Sequence, residues 1–201
     1  MQIRSVLRDP RIYQMFQEGF GFFNARVFAV EKFLEIKPGS RVLDIGCGPG
    51  YIVKHLPKDV SYAGYDIDPS YIEFAQRTFG DRGTFHCRLF DAAAAKEFGK
   101  ADIALMNGVL HHLPDDLLLE TVGTIKSALN PGGVLFTLDG CYRDGQNRLA
   151  KWLLDKDRGE FVRTQSEYEA LLKQRFGRVE MQIQEGLSRL PYTFVFGRSY
   201  V

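Results

Sequence analysis

Apolar residues in this chain fall into two alternating rhythms. Short unbroken apolar runs, closed by glycine or a carboxylate, are separated by longer segments whose apolar residues recur every three or four positions. Strands are predicted over residues 41–45, 61–65, 84–87, 102–107 and 133–139, and the run of Val42, Leu43 and Ile45, closed by glycines, reads as a buried strand of a parallel sheet. The intervening segments 51–55, 69–78, 92–97 and 115–129 predict helices, so the order is that of an α/β protein. Asp68-Pro69 and Pro114-Asp115 are helix starts, and Asn130-Pro131-Gly132-Gly133 is a helix stop and turn. Ahead of the first strand, Asp9-Pro10 opens one helix. A second spans 24–36, with Val27, Phe28, Val30, Phe33 and Leu34 at helical spacing, and ends at Lys37-Pro38-Gly39.

Beyond residue 139 the alternation breaks at a polar, Arg-rich stretch from Tyr142 to Arg148. A short helix over 150–155 and a last helix over 165–175 follow. Two strands over 178–185 and 191–199, linked across Gly186 to Arg189, predict a terminal hairpin. No internal repeat or low-complexity linker divides the chain. Its 201 residues suit one domain, which at this size buries about two thirds to three quarters of its unfolded surface without disulfides or metals.

The strongest chemical signal is Val42-Leu43-Asp44-Ile45-Gly46-Cys47-Gly48-Pro49-Gly50. A strand ends here in a turn whose glycines let the backbone approach a ligand. A dinucleotide fingerprint needs Gly-x-Gly-x-x-Gly, and here the third glycine comes one residue early. Asp66 closes the second predicted strand, where an acidic residue binds ribose hydroxyls. The spacing therefore fits a nucleoside better than a dinucleotide.

At these residues the chain resembles the class I S-adenosylmethionine-dependent methyltransferases. The matching motifs are Leu43 to Gly50, Tyr65-Asp66-Ile67-Asp68-Pro69, Phe90-Asp91, Ala101 to Asn107, Leu110-His111-His112-Leu113 and Leu129-Asn130-Pro131-Gly132-Gly133, in family order over residues 40–140. The resemblance implies a Rossmann-like, doubly wound, seven-stranded sheet of order 3-2-1-4-5-7-6, with the last strand antiparallel. It divides a single domain into an N-terminal helical lid or cap (1–38), a cofactor-binding core (40–140) and a substrate-side insertion with the terminal hairpin (141–201). It also implies S-adenosyl-L-methionine as cofactor and S-adenosyl-L-homocysteine as product. Gly46, Cys47, Gly48 and Gly50 would pass under the methionine moiety, and Asp44 would support the loop and the ammonium. Asp66 would bind the ribose, Ile67 would flank the adenine, and Asn107 would contact the methionine moiety. Asp91 would accept from the adenine amine, although it could equally cap the helix that follows.

A base for the acceptor is sought just past the fourth strand, at His111 and His112. His112 is taken ahead of His111 as the catalytic residue, the alternative for the pair being the structural or cofactor-shell role that the resemblance implies. Asp139 stands at the end of the fifth strand beside the methyl, and His111 is placed on the substrate side. Past residue 139 the chain resembles small bacterial methyltransferases that act on small or sugar-like acceptors. Arg158 or Arg163 could grip an acidic acceptor group as a bidentate fork, or form a salt-bridged surface loop with Asp157. Tyr192 and Tyr13 complete the expected substrate residues. Tyr13 lies in an aromatic stretch that includes Phe16, Phe20, Phe22 and Phe23, readable as a lid or as helix packing.

Net charge is +1 with dispersed basic residues, which gives no footprint of a nucleic-acid binder. The first residues lack a signal-peptide core and no run reaches a membrane span, so a cytoplasmic protein without membrane partners is expected. Three cysteines without Cys-x-x-Cys spacing predict neither a disulfide framework nor a metal cluster. Met106-Asn107-Gly108-Val109 stands where amino methyltransferases of nucleic acid or glutamine carry Asn/Asp-Pro-Pro-Tyr. The expected activity is methyl transfer to an oxygen, with nitrogen second, of a small-molecule acceptor. The alternatives are a noncatalytic S-adenosylmethionine-binding module and a nicotinamide-dependent oxidoreductase.

Overall fold

The structure, a computed structural model, describes residues 19–156 and 159–201. Five strands run parallel: β1 (Arg41–Ile45), β2 (Ser61–Asp66), β3 (Thr84–Cys87), β4 (Ala101–Asn107) and β5 (Leu129–Tyr142). A two-residue strand, β6 (Arg163–Thr164), pairs with the far end of β5. β7 (Arg178–Gln184) and β8 (Phe194–Tyr200) close one edge as a hairpin, with β8 antiparallel to both β5 and β7. The sheet order is β3-β2-β1-β4-β5-β8-β7. Apart from β6, which the sequence did not announce, this is the expected order with the expected antiparallel last strand.

Among the described residues six helices cover the sheet: α1 (Phe22–Phe33), α2 (Pro69–Phe79), α3 (Ala92–Phe98), α4 (Asp115–Ser127), α5 (Arg148–Asp155) and α6 (Gln165–Lys173). One core packs α1, α2 and Leu154 of α5 against Val42, Ile103, Leu105 and Leu138. The other packs α3, α4 and α6 against Leu43, Ala104, Met106 and Leu135. Neighbouring residues of one strand thus serve opposite cores, and β1 and β4 read as unbroken apolar runs because both faces are buried. Helix starts are fixed by side chains. Asp68 accepts from the Ser70 and Tyr71 amides ahead of Pro69, Asn147 accepts from Leu149 and Ala150, and Thr164 with Glu167 forms a capping box on α6. Among the described residues no helix is long and apolar enough to cross a membrane.

Several boundaries differ from expectation for local reasons. Residues 51–55 form a 3-10 turn, being too few for a stable α-helix between Gly50 and Pro57. α1 stops at Phe33 because Leu34 turns extended and buries itself in the core. β5 begins at Leu129, opposite Ala101, and the turn at Asn130 to Gly133 shifts the register before Val134 meets Ile103. The link between β7 and β8 spans 185–193, longer than a tight hairpin. The helix expected at Asp9-Pro10 lies outside the described residues.

One carboxylate is buried inside this sheet. Asp44 of β1 is only 2% exposed and accepts a hydrogen bond of 2.7 Å from the Tyr62 hydroxyl of β2. Burial raises its pKa to about 7, against the partial opposition of the Tyr62 hydrogen bond and of Arg26 on α1. An unfolded Asp ionises near the ordinary value of 3.8. Between these two values the folded chain holds a proton that the unfolded chain has lost. This contribution to stability is therefore fully present below the unfolded pKa and is lost as pH rises through about 7. Thermal melts of the ligand-free protein should show Tm falling from about pH 5 to about pH 8, and Asp44→Asn should flatten that slope. Equal slopes in both proteins would refute the assignment.

Candidate functional site

The chain lays down β1, β2 and β3 in one direction and then returns to place β4 beside β1. The carboxyl ends of β1 and β4 therefore face a crevice at the point where the strand order reverses, the usual ligand position in such sheets. Gly46, Gly48 and Gly50 all have positive φ, in the left-handed region that disfavours other residues. Their surroundings differ. A Cβ on Gly46 would come within 2.5 Å of the Val109 side chain, and one on Gly50 within 2.7 Å of the Phe85 ring. One on Gly48 would meet nothing within 4 Å, so the backbone is bare toward the crevice there. The loop is held from beneath by the Tyr65 carbonyl, which accepts from Gly46 and Cys47 at 2.8 and 3.1 Å.

Asp66 closes β2 and faces this loop. Its Oδ2 accepts from the Gly48 amide at 2.8 Å and its Oδ1 from the Asp68 amide at 2.9 Å. Burial pushes its pKa up, against these two amide hydrogen bonds. Ile67 and Leu89, on the neighbouring ends of β2 and β3, are each 68% exposed, a large apolar area at one rim. Asp91 caps α3, with Oδ1 accepting from the Ala94 amide at 2.8 Å. Cys47 packs toward Gly64, and its thiol is pushed well above its usual pKa, chiefly by burial.

Asn107 ends β4 on the same face as Asp44. It is nearly buried, and its Oδ1 has no hydrogen-bond partner among the described residues. Arg26 of α1 approaches Asp44 and Gly108. It draws on the Asp44 charge, and its Nη2 lies 3.1 Å from where a Gly108 Cβ would stand. A carboxylate, an amide acceptor and a guanidinium thus converge at the crossover. Arg26 was missed from the sequence. Its only signal is a single cation in the stretch Phe22 to Val30, which is apolar but for Asn24.

The histidine pair lies on the 3-10 turn Leu110–His112, immediately after β4. His111 Nδ1 is 2.7 Å from Asp139 Oδ1, and the His111 amide donates to the same oxygen at 3.2 Å. Both residues are buried. The structure therefore gives the Asp139 carboxylate to His111, whereas His112 is exposed with its ring centroid 4.2 Å from that of His111. Since a carboxylate can only accept, Nδ1 carries the proton in this contact. The ring's Cε1 lies 3.8 Å from the Gly108 Cβ position, beside the crossover.

The expected substrate residues fare differently. Arg163 is buried, with every guanidinium nitrogen committed to the Leu110, Leu113 and Phe161 carbonyls and to Asp115. It cannot also offer a fork to an acceptor. Tyr192 is buried against Phe22 and Phe194, with its hydroxyl over Gly140, so it packs α1 onto the sheet. Tyr13 and Arg158 lie outside the described residues.

Residues 24–177 match a family model described as a methyltransferase domain. The ubiquinone biosynthesis O-methyltransferase of Xanthomonas campestris pv. campestris (strain B100) is 28% identical over 103 residues, 49% of this chain and 42% of that protein. The ribosomal protein L11 methyltransferase of Caldanaerobacter subterraneus subsp. tengcongensis is 32% identical over 111 residues, 47% of this chain and 36% of that protein. The chain thus spans less than half the length of these curated relatives. A solved S-adenosylmethionine-dependent methyltransferase from Archaeoglobus fulgidus shares the fold at a TM-score of 0.71 with 15% identity, over 93% of this chain and 99% of that one. With the glycine loop, Asp66 and the histidine turn all inside the matched region, this chain belongs to the methyltransferase-domain family, whose cofactor is S-adenosylmethionine.

Proposed function

We propose that this protein transfers a methyl group to an oxygen of a small-molecule acceptor, with His111 and Asp139 as the proton-accepting pair. The observation that carries the reading is the 2.7 Å contact between these side chains, one turn past the end of β4. The relative that acts in ubiquinone biosynthesis is named an O-methyltransferase, which favours oxygen. A nitrogen acceptor is the second reading, since the relative named for ribosomal protein L11 is not named an O-methyltransferase.

The residues at the crossover fit the cofactor part by part. An amino-acid ammonium needs acceptors, and the unpartnered Asn107 Oδ1 and the Asp44 carboxylate lie on one face of the sheet there. A carboxylate needs a cation, which Arg26 supplies. The bare backbone at Gly48 leaves room for the chain between them, flanked by Gly46, Cys47 and Gly50. Asp66 would take the ribose hydroxyls on the lone pairs not used by Gly48 and Asp68, Ile67 and Leu89 would flank a purine, and Asp91 Oδ2 would accept from its amine. Residues 40–140, joined by Arg26 of α1, form the cofactor half, and the segment after 141 shapes the acceptor side.

When bound, S-adenosylmethionine supplies a methyl group made electrophilic by its sulfonium. The protein's part is mainly placement, which in favourable systems lowers a barrier by about 7–11 kcal/mol. His111 Nε2 receives the acceptor's hydroxyl proton as the oxygen bonds to carbon. Asp139 then stabilises the resulting imidazolium through Nδ1–H, the work that a buried carboxylate does for a base it orients.

Calorimetry should show S-adenosylhomocysteine binding and no NAD binding, with Asp66→Ala weakening the former about tenfold or more. Failure of Asp66→Ala to change that affinity would remove Asp66 from the site. With an acceptor found by labelled-methyl screening, His111→Gln should lower kcat by roughly 10²–10⁴ while S-adenosylhomocysteine affinity stays within about twofold. Full turnover in His111→Gln would end the base assignment, and cofactor binding with no turnover on any acceptor would favour the noncatalytic module.

A further inference from the structure

We propose that the segment 159–164 is a clamp that sets the position of His111 against Asp139, with Arg163 as its positioning residue. The turn Leu110–His112 is a single 3-10 turn, too short to define its own geometry. Two of its carbonyls, and that of Leu113 just after it, are held from one place. The Leu110 carbonyl accepts from Arg163 Nη1 at 3.2 Å, that of His111 from the Phe161 amide at 2.9 Å, and that of Leu113 from Arg163 Nη2 at 2.7 Å. Arg163 Nη1 also closes back on the Phe161 carbonyl at 2.8 Å, which makes the segment rigid about the guanidinium.

The same segment is fastened to the strand that carries Asp139. β6 pairs in parallel register with β5, Cys141 opposite Arg163, two residues past Asp139. Arg163 therefore joins the histidine turn to the carboxylate's own strand, and the 2.7 Å pair spans a frame bolted on both sides. Its charge is balanced by Asp115, the first residue of α4, through Nε at 3.0 Å and Nη2 at 2.6 Å. Lysine could not replace it, because one ammonium cannot reach four acceptors arranged around a planar fork. Gly159 completes the clamp by contact. A Cβ there would overlap His111 Cδ2 and come within 2.8 Å of the His111 carbonyl oxygen, so the backbone lies directly on the imidazole and tolerates no side chain.

The clamp's importance for turnover rests on the proposed role of His111, but its existence can be read without an acceptor. The protein has four histidines, so ¹⁵N-histidine labelling of the full chain gives a small set of imidazole signals, and His111→Gln identifies the one of interest. In the wild type, with S-adenosylhomocysteine added, His111 should show a downfield Nδ1 proton and a single tautomer. Arg163→Lys should speed solvent exchange of that proton about tenfold or more and mix the tautomers, and Gly159→Ala should do the same. Asp115→Asn, which keeps all three carbonyl contacts, should have a smaller effect and carries the test if the Arg163 variant does not fold. Unchanged exchange and tautomer in folded Arg163→Lys, or an effect of Asp115→Asn with none of Gly159→Ala, would overturn the clamp. Loss of the locked proton in Arg163→Lys supports the clamp even if His111→Gln retains turnover, which separates its failure from that of the base assignment.

Discussion

The site exists because strand order reverses between β1 and β4. Helices that follow β1 and β4 leave the sheet toward opposite sides at this point, so no connection crosses above the two strand ends. Every polar group of interest reaches the crevice from this edge. Asp44 stands next to last in β1, Asp66 ends β2, Asn107 ends β4, and Asp139 lies where β5 runs on past the end of β4. The parallel register of β1 with β4 and of β4 with β5 sets their spacing, and the loops only refine it.

Three of these groups are carboxylates with much of their surface out of water, and each is compensated differently. Asp44 has a phenol and the charge of Arg26 against its burial, so its own charge is only weakly favoured. Asp66 has two backbone amides and more access to solvent. Asp139 has an imidazole and an amide on one oxygen, while its other oxygen is buried without a partner among the described residues. A carboxylate compensated on one side only stabilises positive charge on its partner, and the partner here is the ring placed beside the crossover.

Some of this was legible in the sequence. β1 and β4 were readable because burial on both faces removes polar residues from the strand altogether, and Asp66 because a carboxylate closing such a run is costly without a purpose. The choice between His111 and His112 was not legible. Adjacent residues on a tight turn point in widely different directions, and the deciding contact comes from Asp139, 28 residues away. Arg163 was equally opaque, since a guanidinium looks the same in sequence whether it faces an acceptor or four groups of its own backbone and Asp115. β6, at two residues, has no periodicity to detect. Tyr192 was equally ambiguous, because a tyrosine can serve a pocket or a core, and here its ring packs against Phe22.

The contact between Gly46 and Val109 ties these parts together. Gly46 belongs to the loop after β1, and Val109 directly precedes the turn that carries His111. No layer of solvent separates them, so the two halves of the crevice share one wall. A displacement of the glycine loop by even a few tenths of an ångström is transmitted sterically to the histidine turn. Donor and acceptor would then not experience the protein as two independent pockets.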